Sequence, residues 1–131
     1  EEAQKYLSEA RVLTDNVNSA ESQYLINLIL YKSGDLEKAE ASTMETISNS
    51  NAFPFWIAKN LLLIADIFMD KLDYFNARAA LEAIIENFPE SEELTEEAKQ
   101  KLENLELKEK ELNRLQEESN QIELDTIGNN E

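Results

Sequence analysis

The chain has 131 residues, of which 42% are apolar and 31% charged, with only two Gly and two Pro. This composition is typical neither of a disordered chain nor of a membrane protein, and so few turn residues argue against a β-rich fold. With 28 acidic and 12 basic residues the formal net charge is −16, which disfavours nucleic acid and anionic membrane surfaces as partners. We therefore expect an all-α protein.

Apolar residues at helical spacing, separated by short polar or Gly/Pro punctuation, predict six helices. Five of them span approximately residues 1–15, 20–33, 36–49, 54–70 and 74–88, and the sixth runs from Ser91 or Thr95 to about Ser119. Asn18 or Ser19 is the candidate N-cap of the helix over 20–33, and Ser91 or Thr95 opens the long polar helix at the C-terminal end. Short helices joined by tight loops are typical of antiparallel helix hairpins.

Local signals predict where the central helices begin and end. Gly34 is a C′ residue of the left-handed type, and Asp35 is the N-cap of the helix that follows it. Pro54 suits the first turn of a helix, where its missing N–H is not needed. Asp73 is a second N-cap, and Pro89 stops the helix that Asp73 opens. The helix over 54–70 is apolar nearly all round, so it is expected to have neighbours on both sides.

Two of the predicted turns share a pattern. Residues 34–39 (GDLEKA) resemble the G-x-Y-x-x-A turn of tetratricopeptide repeats, and residues 72–77 (LDYFNA) resemble the same turn with Leu in place of Gly. Six further residues fall on the remaining signature positions of that family: Ile64, Ala65, Phe68, Leu81, Ile84 and Pro89. The chain therefore resembles the tetratricopeptide repeat family, most closely over residues 58–89.

The resemblance implies a repeat organisation. Ala3, Ala39 and Ala77 take equivalent positions, 36 and 38 residues apart, against a family period of about 34. A truncated first repeat would occupy residues 1–15, followed by repeats over 19–50 and 54–89 and by a C-terminal capping helix and acidic tail over 91–131. The implied fold is all-α, an antiparallel helix-hairpin solenoid with a right-handed superhelix and a long capping helix. The middle repeat departs from the family pattern at three positions: Asn27, Thr43 and Thr46.

Residues 56–89 look much like the C-terminal repeats of large envelope-associated tetratricopeptide proteins of Gram-negative bacteria. The resemblance implies a fragment of a longer protein in the periplasm or cell envelope, with the cytoplasm as the alternative. No signal peptide or long apolar run is present in the sequence, so no membrane insertion is expected.

Residue types that carry chemistry are scarce. The chain has no Cys and no His, which removes thiol nucleophiles, the usual zinc ligands and the commonest general base. Asp66, Asp70 and Asp73 lie close in sequence, but no Gly-bearing calcium loop accompanies them and Asp73 is already assigned as a cap. The sequence therefore predicts no catalytic site, no metal and no cofactor.

In the tetratricopeptide family the first helix of each hairpin lines a concave groove that holds an extended peptide or a partner helix. The resemblance places ten residues of this chain in that groove: Glu21, Tyr24, Leu28, Tyr31, Lys32, Lys59, Leu62, Asp66, Met69 and Asp70. Aromatic and apolar side chains among charges are the composition that interfaces favour. The clamp of Lys and Asn with which some members grip a C-terminal carboxylate is not evident, so a ligand of basic or mixed charge is favoured. The alternative is that some of these residues, Leu28 and Leu62 first, belong to the core.

The C-terminal helix carries a thin heptad-like apolar pattern formed by Leu105, Leu112, Leu115 and Ile122. It is either a solvated helix face or a docking strip, in which case the chain could associate with another copy of itself. The leading function is a scaffold or adaptor that binds a protein or peptide. The alternatives are a structural end-cap of a longer solenoid that binds nothing, and an enzyme or sugar-binding protein on a helical-repeat framework.

Overall fold

The computed structural model describes residues 20–49 and 53–129, together with the separate helical positions 2, 5, 6 and 9. The helix predicted over 1–15, with Ala3, and the caps Asn18 and Ser19 lie otherwise outside the described residues. Within the described part, five helices and no strand are present: α1 (Ala20–Lys32), α2 (Leu36–Asn49), α3 (Pro54–Asp70), α4 (Tyr74–Asn87) and α5 (Glu92–Gly128). The all-α prediction is confirmed for these residues.

The predicted helix boundaries depend on local chemistry that the structure shows. The Asp35 carboxylate accepts a hydrogen bond from the Lys38 N–H at 3.1 Å, and the Asp73 carboxylate accepts one from the Asn76 N–H at 3.2 Å. Each satisfies an N–H that has no partner in the first turn of its helix. Gly34, which follows α1, has φ of 90°, the left-handed conformation expected of a C′ glycine. Leu72 takes the same place after α3 and also has positive φ, at 61°.

Each described helix packs against the next one along the chain, and α3 lies at the centre of these contacts. Helix α3 contacts all four other helices, which accounts for its nearly continuous apolar surface. Eight of its residues are buried: Ala58, Asn60, Leu62, Leu63, Ile64, Ala65, Ile67 and Phe68. Among the described helices, contacts between alternate helices join only α1, α3 and α5, which we call the α1, α3 and α5 row. Helix α1 contacts α3, and α3 contacts α5, whereas no contact joins α2 to α4 in the described structure.

Small residues lie where paired helices come together. Ala39 of α2 and Ala77 of α4 are both 0% exposed, so the alanine that closes each of the two repeated turns is a core residue. Around Ala77 the core also holds Leu81 and Ile84, both 0% exposed. Lys71, at the end of α3, pairs with Glu37 of α2 at 2.9 Å and with Glu40. These hydrogen bonds, first with Glu40 and then with Glu37, raise the pKa of the Lys71 ammonium to about 12.

Helix α5 is longer than the sequence predicts. It begins directly after Ser91 and continues to Gly128, nine residues past the predicted end at Ser119. No Pro or Gly interrupts residues 92–127, and the helix ends at the first Gly. Its first half packs through Leu94, Ala98 and Leu105, which are all buried. None of the helices described is both long and apolar enough to cross a membrane.

Candidate functional site

The groove residues predicted on α1 and α3 meet each other in the structure. The Tyr31 hydroxyl of α1 donates a hydrogen bond to the Asp70 carboxylate of α3 at 2.6 Å. A second contact joins the same two helices. The Nζ atom of Lys59, on α3, lies 5.2 Å from the centroid of the Tyr24 ring, on α1, within the range of a cation–π interaction. These two contacts make a continuous surface across α1 and α3. We call this surface, formed by the predicted groove residues, the α1–α3 face.

Most of the predicted groove residues are open to solvent, in whole or in part. Glu21, Lys32 and Asp70 are exposed, whereas six others are half-buried: Tyr24, Leu28, Tyr31, Lys59, Asp66 and Met69. Leu62 is different, because only 5% of it is exposed and it belongs to the core. The prediction that Leu62 lines an open groove is therefore wrong. Helix α3 contacts four neighbouring helices, and the surface of α3 that carries Leu62 is covered by them.

Tyr31 remains a neutral hydrogen-bond donor on this face. Partial burial, the hydrogen bond to Asp70 and the charges of Asp70 and Asp66 all raise the pKa of its phenol above the ordinary value. The hydroxyl therefore keeps its proton at physiological pH. Because a carboxylate can accept several hydrogen bonds, the exposed Asp70 keeps acceptor capacity for a ligand.

Helix α5 contributes a cation to the same side of α3. Lys101 Nζ lies 2.7 Å from the Asp66 carboxylate, and both side chains are partly exposed. Sequence reasoning missed Lys101, because it carried the groove positions only onto the first helices of the two recognised hairpins. The spacing of residues in α5 indicates this position of Lys101. It lies three residues after the buried Ala98 and four before the buried Leu105, on the side of α5 that packs against other helices.

An aromatic cluster borders the α1–α3 face. The Trp56 ring lies 5.7 Å from that of Tyr24 and 5.0 Å, edge to face, from that of Phe55. Phe53 and Phe55 are 68% and 47% exposed, so large apolar surface adjoins the Lys59–Tyr24 contact. Exposed aromatic side chains next to polar groups are typical of interaction surfaces.

A buried hydrogen-bond network beneath this face joins α1, α2 and α3. The Asn27 amide donates to Asn60 Oδ1 at 2.9 Å and to Thr46 Oγ1 at 3.0 Å, while the Ser42 hydroxyl donates to Asn27 Oδ1 at 2.6 Å. The Asn60 amide donates to the Trp56 carbonyl at 2.8 Å. Asn27 and Asn60 are 0% and 2% exposed. Such a network has good geometry in only one alignment of the helices, so it sets how α1 lies against α3.

Asn27, Thr43 and Thr46 are the positions at which the middle repeat departs from the tetratricopeptide pattern that the sequence resembles. The structure places Asn27 and Thr46 in this network and Thr43 in the core, where it is 0% exposed. Because Asn27 lies between Tyr24 and Tyr31 on α1, its bond to α3 positions both tyrosines opposite their partners. The hydrogen bonds of Asn27 and Thr46 therefore position the α1–α3 face, whereas the buried Thr43 hydroxyl has no hydrogen-bond partner among the described residues.

The described residues contain no group of three or more acidic, His or Cys side chains placed to hold a metal ion. Asp73, the third member of the acidic group considered in the sequence, hydrogen-bonds Asn76. This hydrogen bonding, through the Asn76 side chain and then its backbone, lowers the pKa of Asp73.

No protein-family model matches the chain, and comparisons with curated proteins and with solved structures give no significant match.

Proposed function

We propose that this chain is a tetratricopeptide-type interaction module that binds a protein or peptide partner on its α1–α3 face. The observation that carries the proposal is the meeting of the predicted groove residues. Tyr31 bonds Asp70 at 2.6 Å and Lys59 lies 5.2 Å over Tyr24, although the paired residues are far apart in sequence. A side of two helices that is lined by aromatic and charged groups, and left partly open, suits recognition of another chain.

The arrangement of the helices supports the repeat interpretation. The contacts between α1 and α3 and between α3 and α5, with none between α2 and α4 among the described residues, favour an array that curves towards the α1, α3 and α5 row. A tetratricopeptide groove lies on that side. The matching left-handed turns at Gly34 and Leu72 and the buried Ala39 and Ala77 support the same repeat register.

Electrostatics favour a partner of basic or mixed charge. Lys101 is paired with Asp66 and Lys59 lies over Tyr24, so the two central cations already have partners on this surface. Asp70 and Glu21 remain exposed, and the chain as a whole carries a net charge of −16. A long-range negative field attracts basic peptides and speeds their association.

Selection from a random displayed-peptide library on the intact chain tests the proposal. Selected peptides should be enriched in Lys or Arg beside an aromatic or apolar residue. For such a peptide, Asp70→Asn should weaken binding by about 1 kcal/mol or more, since it removes the charge from a charged hydrogen bond. Glu82→Gln is the matched control, because Glu82 is an exposed carboxylate on α4. If no peptide is selected, or if both variants weaken binding equally, a structural end-cap becomes the better account.

A further inference from the structure

The second half of α5 is not covered by any other helix in the described part of the chain. Every residue over 110–129 is exposed. The last interhelical pairs that hold α5 to α4 are those of Arg78, at 3.4 Å from Glu106 and also with Glu109. Residues 110–128, which we call the overhang, therefore extend beyond the packed helices by about 28 Å at the α-helical rise.

The overhang continues the face by which α5 packs on the repeats. Leu105 is 0% exposed in the core, and Leu112 lies one heptad further along. Leu115 and Ile122 are likewise seven residues apart on the same side. The exposed fractions of these three side chains are 44%, 49% and 66%. An apolar face that is buried in the first half of the helix is thus open to solvent in the second. We call Leu112, Leu115 and Ile122 the seam.

The charges beside the seam are almost all negative. One edge carries Glu111, Glu118 and Asp125 at heptad spacing, and the other carries Glu109, Gln116 and Glu123. Arg114 pairs with Glu111 at 2.7 Å and with Glu118, so it offsets part of the first edge. Glu123 and Asp125 have no basic partner among the described residues, and the only other cation of the overhang is Lys110.

This charge pattern opposes pairing with a second copy. In an antiparallel pair of overhangs, each edge would face the same edge of the other copy and place carboxylates opposite carboxylates. In a parallel pair, Glu118 would face Glu123 of the other copy. Like charges at these positions disfavour pairing and select against the homodimer. A partner with basic edges would turn each of these repulsions into an attraction.

We propose that the overhang is a docking site for an amphipathic helix of another protein, with a Leu- or Ile-type apolar stripe bordered by Lys or Arg. The partner helix packs its stripe against the seam, as α4 packs against the first half of α5, and its cations face the acidic edges. This surface is separate from the α1–α3 face, so the proposal stands whether or not that face binds a peptide.

Fluorescence anisotropy with labelled synthetic helices tests this on the intact chain. The probes are three-heptad peptides with the same Leu and Ile stripe and with either Lys or Glu at the edge positions. The Lys-edged peptide should bind at least about tenfold more tightly than the Glu-edged one. Leu115→Gln combined with Ile122→Gln should weaken that binding by about tenfold or more. Leu124→Gln is the matched control, since Leu124 is 63% exposed on the opposite side of the helix, and it should change binding less than about twofold.

Several results would overturn the proposal. If the Lys-edged peptide binds the seam variant as tightly as it binds the original chain, the peptide is attracted by charge alone. If it does not bind the original chain at all, the overhang is not a docking site. Sedimentation showing a dimer that the seam substitutions abolish would identify a second copy as the occupant. Asp70→Asn should leave this binding unchanged; if it reduces the binding and the seam variant does not, the peptide lies on the α1–α3 face. That result would contradict the overhang site while supporting the proposed function.

Discussion

Two turns of the chain place different residues in the same left-handed backbone conformation. Gly34 has φ of 90° and Leu72 has φ of 61°. For an L-residue with a side chain, the left-handed conformation costs about 1–2 kcal/mol, a cost that glycine avoids. Leu72 is 73% exposed, so its side chain recovers little of that cost by burial. The second turn is therefore the more strained of the two.

Exchanging the residue types at these turns should have opposite effects. Leu72→Gly should raise the free energy of unfolding by about 0.5–1 kcal/mol. The substitution relieves the backbone strain, but the greater freedom of glycine in the unfolded chain offsets part of that gain. Gly34→Ala should lower it by about 1 kcal/mol, through backbone strain alone, because nothing lies within 4 Å of the added methyl group. Urea denaturation of the two variants checks this, and a stabilising Gly34→Ala would contradict it.

Asn27 is buried and hydrogen-bonded, although Gly or Ala is usual at this position of the tetratricopeptide pattern. Asn27→Ala, which introduces a residue usual in the family, should destabilise the chain by about 1–3 kcal/mol, because it leaves the buried Asn60 carbonyl without its donor. Thermal and urea unfolding measure the change. Asn104→Ala, on the exposed side of α5, should have little effect. In a double-mutant cycle Asn27→Ala with Asn60→Ala should cost less than the two single losses added together; simple additivity would argue against the network.

At the scale of the helix, the crossing of α3 with α4 depends on a small side chain. Ala77 is 0% exposed, so Ala77→Leu should overpack the interface and cost about 1–3 kcal/mol. Ala79→Leu adds the same atoms to the same helix at an exposed position and should be nearly neutral. Melting temperatures of the pair decide the matter, since equal melting temperatures would mean that the repeat register is wrong.

Helix α5 combines a packed half and a solvated half, and one heptad separates the two environments. Leu105 is 0% exposed and Leu112 is 44% exposed. Leu105→Ala should therefore cost about 2–5 kcal/mol, as expected for a cavity in a core. Leu112→Ala should change the free energy of unfolding by less than about 0.5 kcal/mol. Chemical denaturation of both variants provides the comparison, and a large loss for Leu112→Ala would show that the overhang packs on the repeats.

The sequence predicts helices better than it predicts the faces that they bury. Asp35, Pro54 and Asp73 act within a turn of their own positions, so the boundaries of α2, α3 and α4 could be predicted to within a residue. Leu62 is apolar, so its residue type is compatible with a buried core position and with an apolar groove position. It is buried because four helices pack around α3, which the local sequence does not indicate. The hydrogen bond from Asn27 to Asn60 joins residues 33 positions apart in the sequence. No local sequence pattern indicates that these two side chains meet.

For the molecule as a whole, the described helices form one packed body around α3, which contacts α1 and α5 as well as its two neighbours along the chain. Buried polar groups join α1 to α3, and partly exposed charged pairs join α5 to Asp66 of α3 and to Arg78 of α4. Under the proposed function, we expect the partner to lie on the α1–α3 face, close to Tyr31 and Met69.

Photo-crosslinking would locate the bound partner on the chain. A basic peptide selected on the intact chain is given a photoreactive residue beside its cations, and the adducts are located by mass spectrometry. We expect adducts on α1 and α3, near Tyr31, Met69 and Asp70, and we expect these adducts to be lost in Asp70→Asn. Adducts confined to α2, to α4 or to the overhang would contradict this expectation.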